Sequence, residues 1–110
     1  MTIRQMADAM NLQVFQGEKE LDREISGGYV SDLLSDVMGH AREGEVWITL
    51  QSHVNVVAIA SLKDLAAIVM VKSIVPDDQV LKKAAEENIP VLGSPEGTFE
   101  TAGKLFSLLR

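Results

Sequence analysis

The sequence contains no cysteine, which excludes a disulfide framework, a thiolate nucleophile and any Cys-ligated zinc or iron–sulfur centre. Aromatic residues are scarce, at 5%, so Val, Ile, Leu, Ala and Met must carry the packing. Basic residues are also in short supply. Lys plus Arg number 10 against 16 Asp plus Glu, a formal charge of −6 with a pI near 4.8. Binding to nucleic acid or an anionic membrane depends on basic clusters, so neither is an expected partner. The most apolar stretch, Val54 to Val71, is broken by Ser61, Lys63 and Asp64, whereas a membrane span needs about 20 predominantly apolar residues. Polar residues interrupt Met1 to Met6 as well, which speaks against a secretory signal. No low-complexity segment, long linker or solenoid-type repeat is found. A cytoplasmic location is expected.

What is present is aliphatic core material. The 110 residues are 46% hydrophobic, with a mean hydropathy of +0.11. A chain of this size hides roughly two-thirds of the surface that its unfolded form exposes, so residues 1–110 are expected to make one stand-alone domain.

Thr2 and Gln5 have capping-box spacing, and Ile3, Met6, Ala7 and Met10 share one helical face, so residues 2–10 read as a short helix. Leu12 to Phe15 reads as a strand ended by Gly17, with a polar loop at Glu18 to Glu20. Asp22 to Val30 reads as a loop or strand whose Gly27 and Gly28 permit positive φ or close backbone approach. Ser31 suits an N-cap, with Asp32 at the positive end of a helix dipole. Leu33, Leu34, Val37, Met38 and Ala41 then share a face through 31–42, with Gly44 as the stop.

From Glu45 the pattern alternates. Val46 to Leu50 is β-branched and apolar, as a buried strand requires. Val54 to Leu65 is read as a buried helix, with a hairpin strand as the alternative; no tight-turn signal supports the hairpin. Ala67 to Val71 is the next strand, and Val80, Leu81, Ala84 and Ala85 define a helix after Pro76-Asp77-Asp78. On its wet side Lys82/Glu86 and Lys83/Glu87 are spaced for ion pairing. Pro90 to Leu92 is a third strand, and Thr98 opens a last helix whose inward face is Phe99, Ala102, Gly103, Phe106 and Leu109. The expected fold is a three-layer α/β domain: a mainly parallel sheet flanked by helices, with three β-α units after an N-terminal helix–strand segment. The loops Gln51 to Asn55, Lys72 to Asp78 and Gly93 to Thr98 would gather at the carboxyl ends of the strands, the usual ligand edge of such sheets.

The chemical candidates are modest. Gly97 to Lys104 has five residues rather than four between its glycines, with Leu105 where a phosphate loop needs Ser or Thr; no dinucleotide fingerprint exists. His40 lies late in a helix. His53 lies in a polar loop with Ser52 and Asn55, but nothing in sequence makes nucleophile, base and carboxylate converge. Asp77 and Asp78 suit helix capping. Asp22 and Arg23 suit a local ion pair or the fixing of their loop, Glu43 and Glu45 are read as solvated, and Met6, Met10, Met38 and Met70 fit packing positions. Gly27-Gly28 and Gly93-Ser94 are tight-turn or anion-binding loop candidates.

Leu21-Asp22-Arg23-Glu24-Ile25, then Gly27-Gly28-Tyr29-Val30-Ser31-Asp32-Leu33-Leu34, resembles the start of a DRTGG domain. Gly44 to Thr49, Asn55 to Ala60, Ile89 to Leu92 and Thr98 to Thr101 continue the likeness over nearly the whole chain. The chain departs from the pattern at Gln51 to Asn55, where many relatives carry a Gly-Asp-Arg-type sequence, and at Lys72-Ser73, which lacks the Thr-Gly-Gly character. The resemblance implies a compact α/β fold related to the amino-terminal domain of HPr kinase/phosphorylase. It also implies an accessory or regulatory part, such as accompanies CBS domains in some pyrophosphatases, and dimeric association.

The expectation is therefore a noncatalytic regulatory or ligand-sensing homodimer with no metal or cofactor. A nucleotide or small anionic metabolite would meet Gln51, His53, Asn55, Ser94 and Thr98, with Gly27 and Gly28 shaping a nearby loop. The rivals are a small enzyme using His53 as acid or base, and a protein-interaction subunit of a metabolic complex.

Overall fold

A computed structural model describes residues 1–110. Helix α1 (Ile3–Met10) starts at the expected capping box, with Thr2 Oγ1 accepting from Gln5 N and Gln5 Oε1 accepting from Thr2 N. Strand β1 (Gln13–Gln16) follows. Glu18–Glu20 forms one 3-10 turn rather than an open loop. The chain then builds β2 (Gly27–Val30), α2 (Leu34–His40), β3 (Glu45–Thr49), α3 (Asn55–Leu62), β4 (Ala67–Met70), α4 (Asp78–Glu87), β5 (Val91–Gly93) and α5 (Thr98–Leu109).

The five strands form one sheet in the order β1-β5-β4-β3-β2. β2 through β5 are parallel, and β1 closes the far edge antiparallel to β5. The parallel pairing goes with a helix at Asn55–Leu62, shorter than the expected Val54 to Leu65, because parallel neighbours need a crossover and cannot be joined by a tight hairpin. It also makes Gly27-Gly28 part of a strand paired with Glu45 and Val46, which selects the strand alternative for that end of Asp22 to Val30.

Strands β2 to β5 are laid down in one direction, so right-handed crossovers put α2, α3 and α4 on the same face. The core divides accordingly. Trp47, Ile68, Met70 and Val91 pack with Val37, Val56, Val57, Val80 and Ala84. Val46, Ile48, Ala67, Val69 and Leu92 point the other way, toward Ile3 and Met6 of α1 and Leu105 of α5. Strand alternation thus serves two aliphatic cores from one sheet, giving the expected three layers. No helix is long and apolar enough to cross a membrane.

Several local expectations are corrected. Ser31 and Asp32 do not cap α2: the helix starts after Leu33 with no side-chain cap. Ser31 Oγ instead accepts from Leu33 N, and its carbonyl accepts from Trp47 Nε1 at 2.8 Å. The face expected of that helix is only partly buried, since Leu33 and Met38 are exposed while Val37 and Ala41 are buried. Gly44 is not the stop of α2, which ends before Ala41; it takes φ 81° in the turn entering β3. Asp22 and Arg23 do not pair with each other but fix their loop, the other expected use. Asp22 accepts from Arg4 Nε, and Arg23 reaches across to Asp64 Oδ1 at 3.1 Å and to the Asp64 and Leu65 carbonyls. Of the two pairs on α4, Lys83–Glu87 forms at 3.6 Å and Lys82–Glu86 does not.

The largest correction concerns α5. Its buried residues are Thr101 and Leu105, whereas Phe99 is 86% and Phe106 65% exposed. Phe99, Gly103 and Phe106 of the stripe expected to face inward face out, whereas Ala102 and Leu109 pack part-buried against the core. Gly28 permits this seating, since a Cβ there would stand 3.1 Å from Leu105 Cδ2.

Candidate functional site

The loops leaving β3, β4 and β5 do gather on one rim, because Thr49 pairs with Met70 and Met70 with Gly93 in parallel register. Sharing a rim does not bring their side chains into one place. Two strand spacings, about 9–10 Å, separate the ends of β3 and β5, and β4 stands between them.

At the β3 end, Asp32 organises the loop. Its Oδ1 accepts from Thr49 Oγ1 at 2.9 Å and from Leu50 N at 2.7 Å. Gln51 Nε2 donates to the Asp32 carbonyl, so Gln51 turns toward β2 rather than toward β4. His53 Nδ1 accepts from Asn55 N at 3.1 Å. This fixes the proton of the neutral ring on Nε2 and makes His53 a cap for the first turn of α3. No carboxylate pairs with it, and no group of acidic and histidine side chains is placed to hold a metal ion.

At the β5 end, Ser94 is 4% exposed, with its Oγ 2.9 Å from Thr101 Oγ1 and accepting from Glu96 N. Its hydroxyl belongs to the junction of β5 and α5. Thr98 is the first residue of α5, half-buried. The near phosphate loop is dispersed: Gly97 precedes α5, Gly103 lies inside it, and Lys104 Nζ bonds Glu96 Oε1 at 2.6 Å.

Between these ends the chain changes faces. The loop after β4 leads to α4 on the α2–α3 face, whereas the loop after β5 leads to α5 on the α1 face. Where neighbouring strands send their helices to opposite faces, a crevice opens. Here a cavity of about 290 Å³ lies there, lined by Asn11, Gln13, Phe15, Ser73, Ser94 and Pro95 among others. Ser73 lines it, next to Lys72, and the two have φ of 58° and 59°, both left-handed. Their backbone is tied across to the β5 loop by Lys72 N to Glu96 O and Ser73 N to Ser94 O. Close by, α5 begins at Gly97 with no side-chain cap, leaving first-turn N–H groups open. Around Gly97, Glu100 Oε1 lies about 2.9 Å and Lys72 Cε about 4.0 Å from where a Cβ would be, so a carboxylate stands beside the ammonium at this helix start. Asp77 closes the equivalent end of α4, its carboxylate accepting from Val80 N at 2.9 Å, as its sequence position leads one to expect.

Of the residues proposed from sequence, Ser94 lines this crevice and Thr98 stands at the start of α5. Gln51, His53 and Asn55 belong to the separate β3 end. Gly27 and Gly28 lie toward the amino end of β2, away from the rim. Lys72 and Ser73 were missed as site residues. The signal available for them was positional: they stand where the DRTGG pattern carries glycines, the residues that adopt positive φ without strain.

The model of the DRTGG domain matches residues 5–108 of the chain. No curated protein matches it. Among solved structures, the chain is similar to the CBS and DRTGG domains of the regulatory region of Clostridium perfringens pyrophosphatase, complexed with the activator diadenosine tetraphosphate. The TM-score is 0.74 at 13% identity, over 94% of this chain and 45% of that one. The chain thus spans under half the length of that neighbour.

Proposed function

Since the chain belongs to the DRTGG domain family, we propose that it is a noncatalytic regulatory module that binds a nucleotide or another phosphorylated metabolite and works as a homodimer. The observation that carries the binding part is the crevice between the β4 and β5 loops, near a helix start without a side-chain cap where Lys72 and Glu100 both stand. Open N–H groups at a helix start and a nearby ammonium group suit a phosphate. The regulatory part is supported by the structural neighbour, a regulatory region complexed with a nucleotide activator. Noncatalytic action is favoured over acid–base chemistry because His53 Nδ1 and Ser94 Oγ are both engaged in holding local structure.

Thermal-shift and calorimetric titration with diadenosine tetraphosphate, mononucleotides and sugar phosphates tests this reading. A ligand at a hundred times its Kd adds about 2.7 kcal/mol to stability, a readily measured rise in Tm. Lys72→Ala is expected to weaken that ligand several-fold, while His53→Ala leaves its affinity unchanged. If none of these compounds shifts Tm, ligand sensing is rejected. Light scattering showing a monomer throughout the micromolar range rejects the homodimer.

A further inference from the structure

We propose that α2 is a strap that swings away from the domain as a unit, hinged at Asp32 and Ala41 and latched by the contact between Tyr29 and Asp36. The proposal is independent of the ligand and homodimer readings above and adds a conformational element that they do not contain.

The first observation is how little holds the helix. Among the seven residues of α2 only Val37 is buried, with Leu34 partly buried beside it. α1 and α3, each one residue longer, bury four apiece. Leu33 is 64% and Met38 38% exposed. Helices this short are marginal on their own in water, so α2 persists only through its packing. Its own sequence adds little, since no side chain caps its start and Gly39 lies in its last turn. Nothing lies within 4 Å of a Cβ built on Gly39, so no close neighbour requires the glycine, which weakens a helix relative to alanine.

The second observation is that both ends are fixed while the middle is not. Ahead of α2, Asp32 Oδ1 accepts from Thr49 Oγ1 and Leu50 N, and the Ser31 carbonyl accepts from Trp47 Nε1. Behind it, Ala41 is buried, the Glu43 carbonyl accepts from Ser26 Oγ, and Gly44 N donates to the Asp64 carbonyl. Between these points one hydrogen bond joins residues 34–40 to another element, from the Tyr29 hydroxyl to Asp36 Oδ2 at 2.8 Å. His40 Nδ1 lies 3.3 Å from Asp36 Oδ1 but belongs to α2 itself. The segment can therefore part from the sheet without unpairing β2 from β3.

The third observation is what lies beneath. Val37 shares its cluster with Trp47 of β3 and with Val56, Val57 and Ala60 of α3. Opening gives up the burial of one valine and lays bare apolar surface on two neighbouring elements, with the sheet intact. Elements that bury little and are held by few bonds lie at the low end of local stability, from which moving parts are drawn. A regulatory domain works through the balance of two states, and the closed and open forms of α2 are two such states.

Because the sequence has no cysteine, a single introduced thiol reports the opening. Val37→Cys places it on the buried side of α2, and Ala84→Cys, at an equally buried site of α4, is the control. Both are labelled with a thiol reagent under native conditions and in rising low urea, each rate being divided by that of the unfolded chain. Expected is labelling of Val37→Cys roughly tenfold or more faster than of Ala84→Cys, with the weak urea dependence of a local opening. Adding Tyr29→Phe is expected to speed it roughly fivefold, and adding Gly39→Ala to slow it roughly threefold. Equal rates with equal urea dependence at the two sites overturn the strap, since α2 would then open only with the whole domain. An unchanged rate on adding Tyr29→Phe overturns the latch. Should Val37→Cys not fold, hydrogen exchange of the wild-type α2 amides against those of α4 decides by the same comparison.

Discussion

Ser94 Oγ and Thr101 Oγ1 lie 2.9 Å apart in the interior, one at the end of β5 and the other in the second turn of α5. This contact fixes where α5 leaves the sheet, because the same Ser94 oxygen also receives the Glu96 N–H of the intervening loop. Thr101→Val removes one hydroxyl from the buried pair. Loss of a buried hydrogen-bond partner costs about 1–3 kcal/mol, so a fall of that size is expected in urea unfolding. In a double-mutant cycle, adding Ser94→Ala to Thr101→Val should cost less than the sum of the single changes. Additive losses would show that the two hydroxyls do not interact.

Lys72 and Ser73 hold left-handed backbone side by side. For a residue with a Cβ this conformation costs about 1–2 kcal/mol, partly offset for glycine by its greater freedom in the unfolded chain. Ser73→Gly is therefore expected to stabilise the protein by roughly 0.5–1 kcal/mol. The check is a higher urea midpoint with an unchanged m-value, and a lower midpoint contradicts the account.

The opposite outcome is expected at Gly17. It takes φ 98°, and a Cβ there would meet the Pro90 Cα at 2.5 Å. Gly17→Ala places a methyl group against backbone that has no side-chain freedom to yield. A loss of more than about 1 kcal/mol is expected, read as a lower Tm. No change in Tm would mean that the β1 exit and Pro90 are less tightly apposed than described.

The pH dependence follows from Tyr29 and Asp36. The phenol donates to Asp36 Oδ2 at 2.8 Å; this bond, with a further contribution from Ser31, holds the Asp36 carboxyl below its ordinary range. Glu87 is likewise lowered, first by the Ser61 hydroxyl and then by Lys83. A carboxyl lowered in the folded state contributes stability that is complete above its unfolded pKa and lost as pH falls through the folded one. Tyr29 itself is raised by its bond to Asp36, so its contribution holds below the ordinary phenol value and is lost as pH rises beyond it. Tyr29→Phe should therefore be most destabilising between about pH 5 and 9, with the difference from wild type shrinking toward both acid and strong alkali. Urea midpoints measured from acid through to strong alkali check it, and a difference that stays constant beyond both ends of the window of about pH 5–9 contradicts it.

Much of the fold was legible because its signals are local. Thr2 and Gln5 announce the start of α1, Asp77 that of α4, and the β-branched runs at Val46 to Thr49 and Ala67 to Met70 announce buried strands. These depend on side chains satisfying backbone groups a few residues away and on periodicities of the chain itself. The expected rim also followed, since alternating strands and helices force parallel pairing and collect the exit loops at one edge.

The site was only half legible, for a physical reason. Asp32 could cap a helix as its sequence position suggests, but Thr49 and Leu50 from another strand capture its carboxylate, and α2 starts later. Ser94 looks like a ligand-facing hydroxyl until Thr101 folds over it. On α5, periodicity identified an apolar stripe at Phe99, Ala102, Gly103 and Phe106, yet a helix with apolar residues on more than one side has no local reason to choose which side it buries. That choice falls to the sheet: Gly28 lets Leu105 approach β2, Thr101 finds Ser94, and the phenylalanines are left outside. The sequence alone determined the elements and their parallel order, through contacts a few residues long. Only tertiary packing decided which polar groups were already occupied and which apolar face stayed open, because those outcomes depend on partners 7 to 77 residues away.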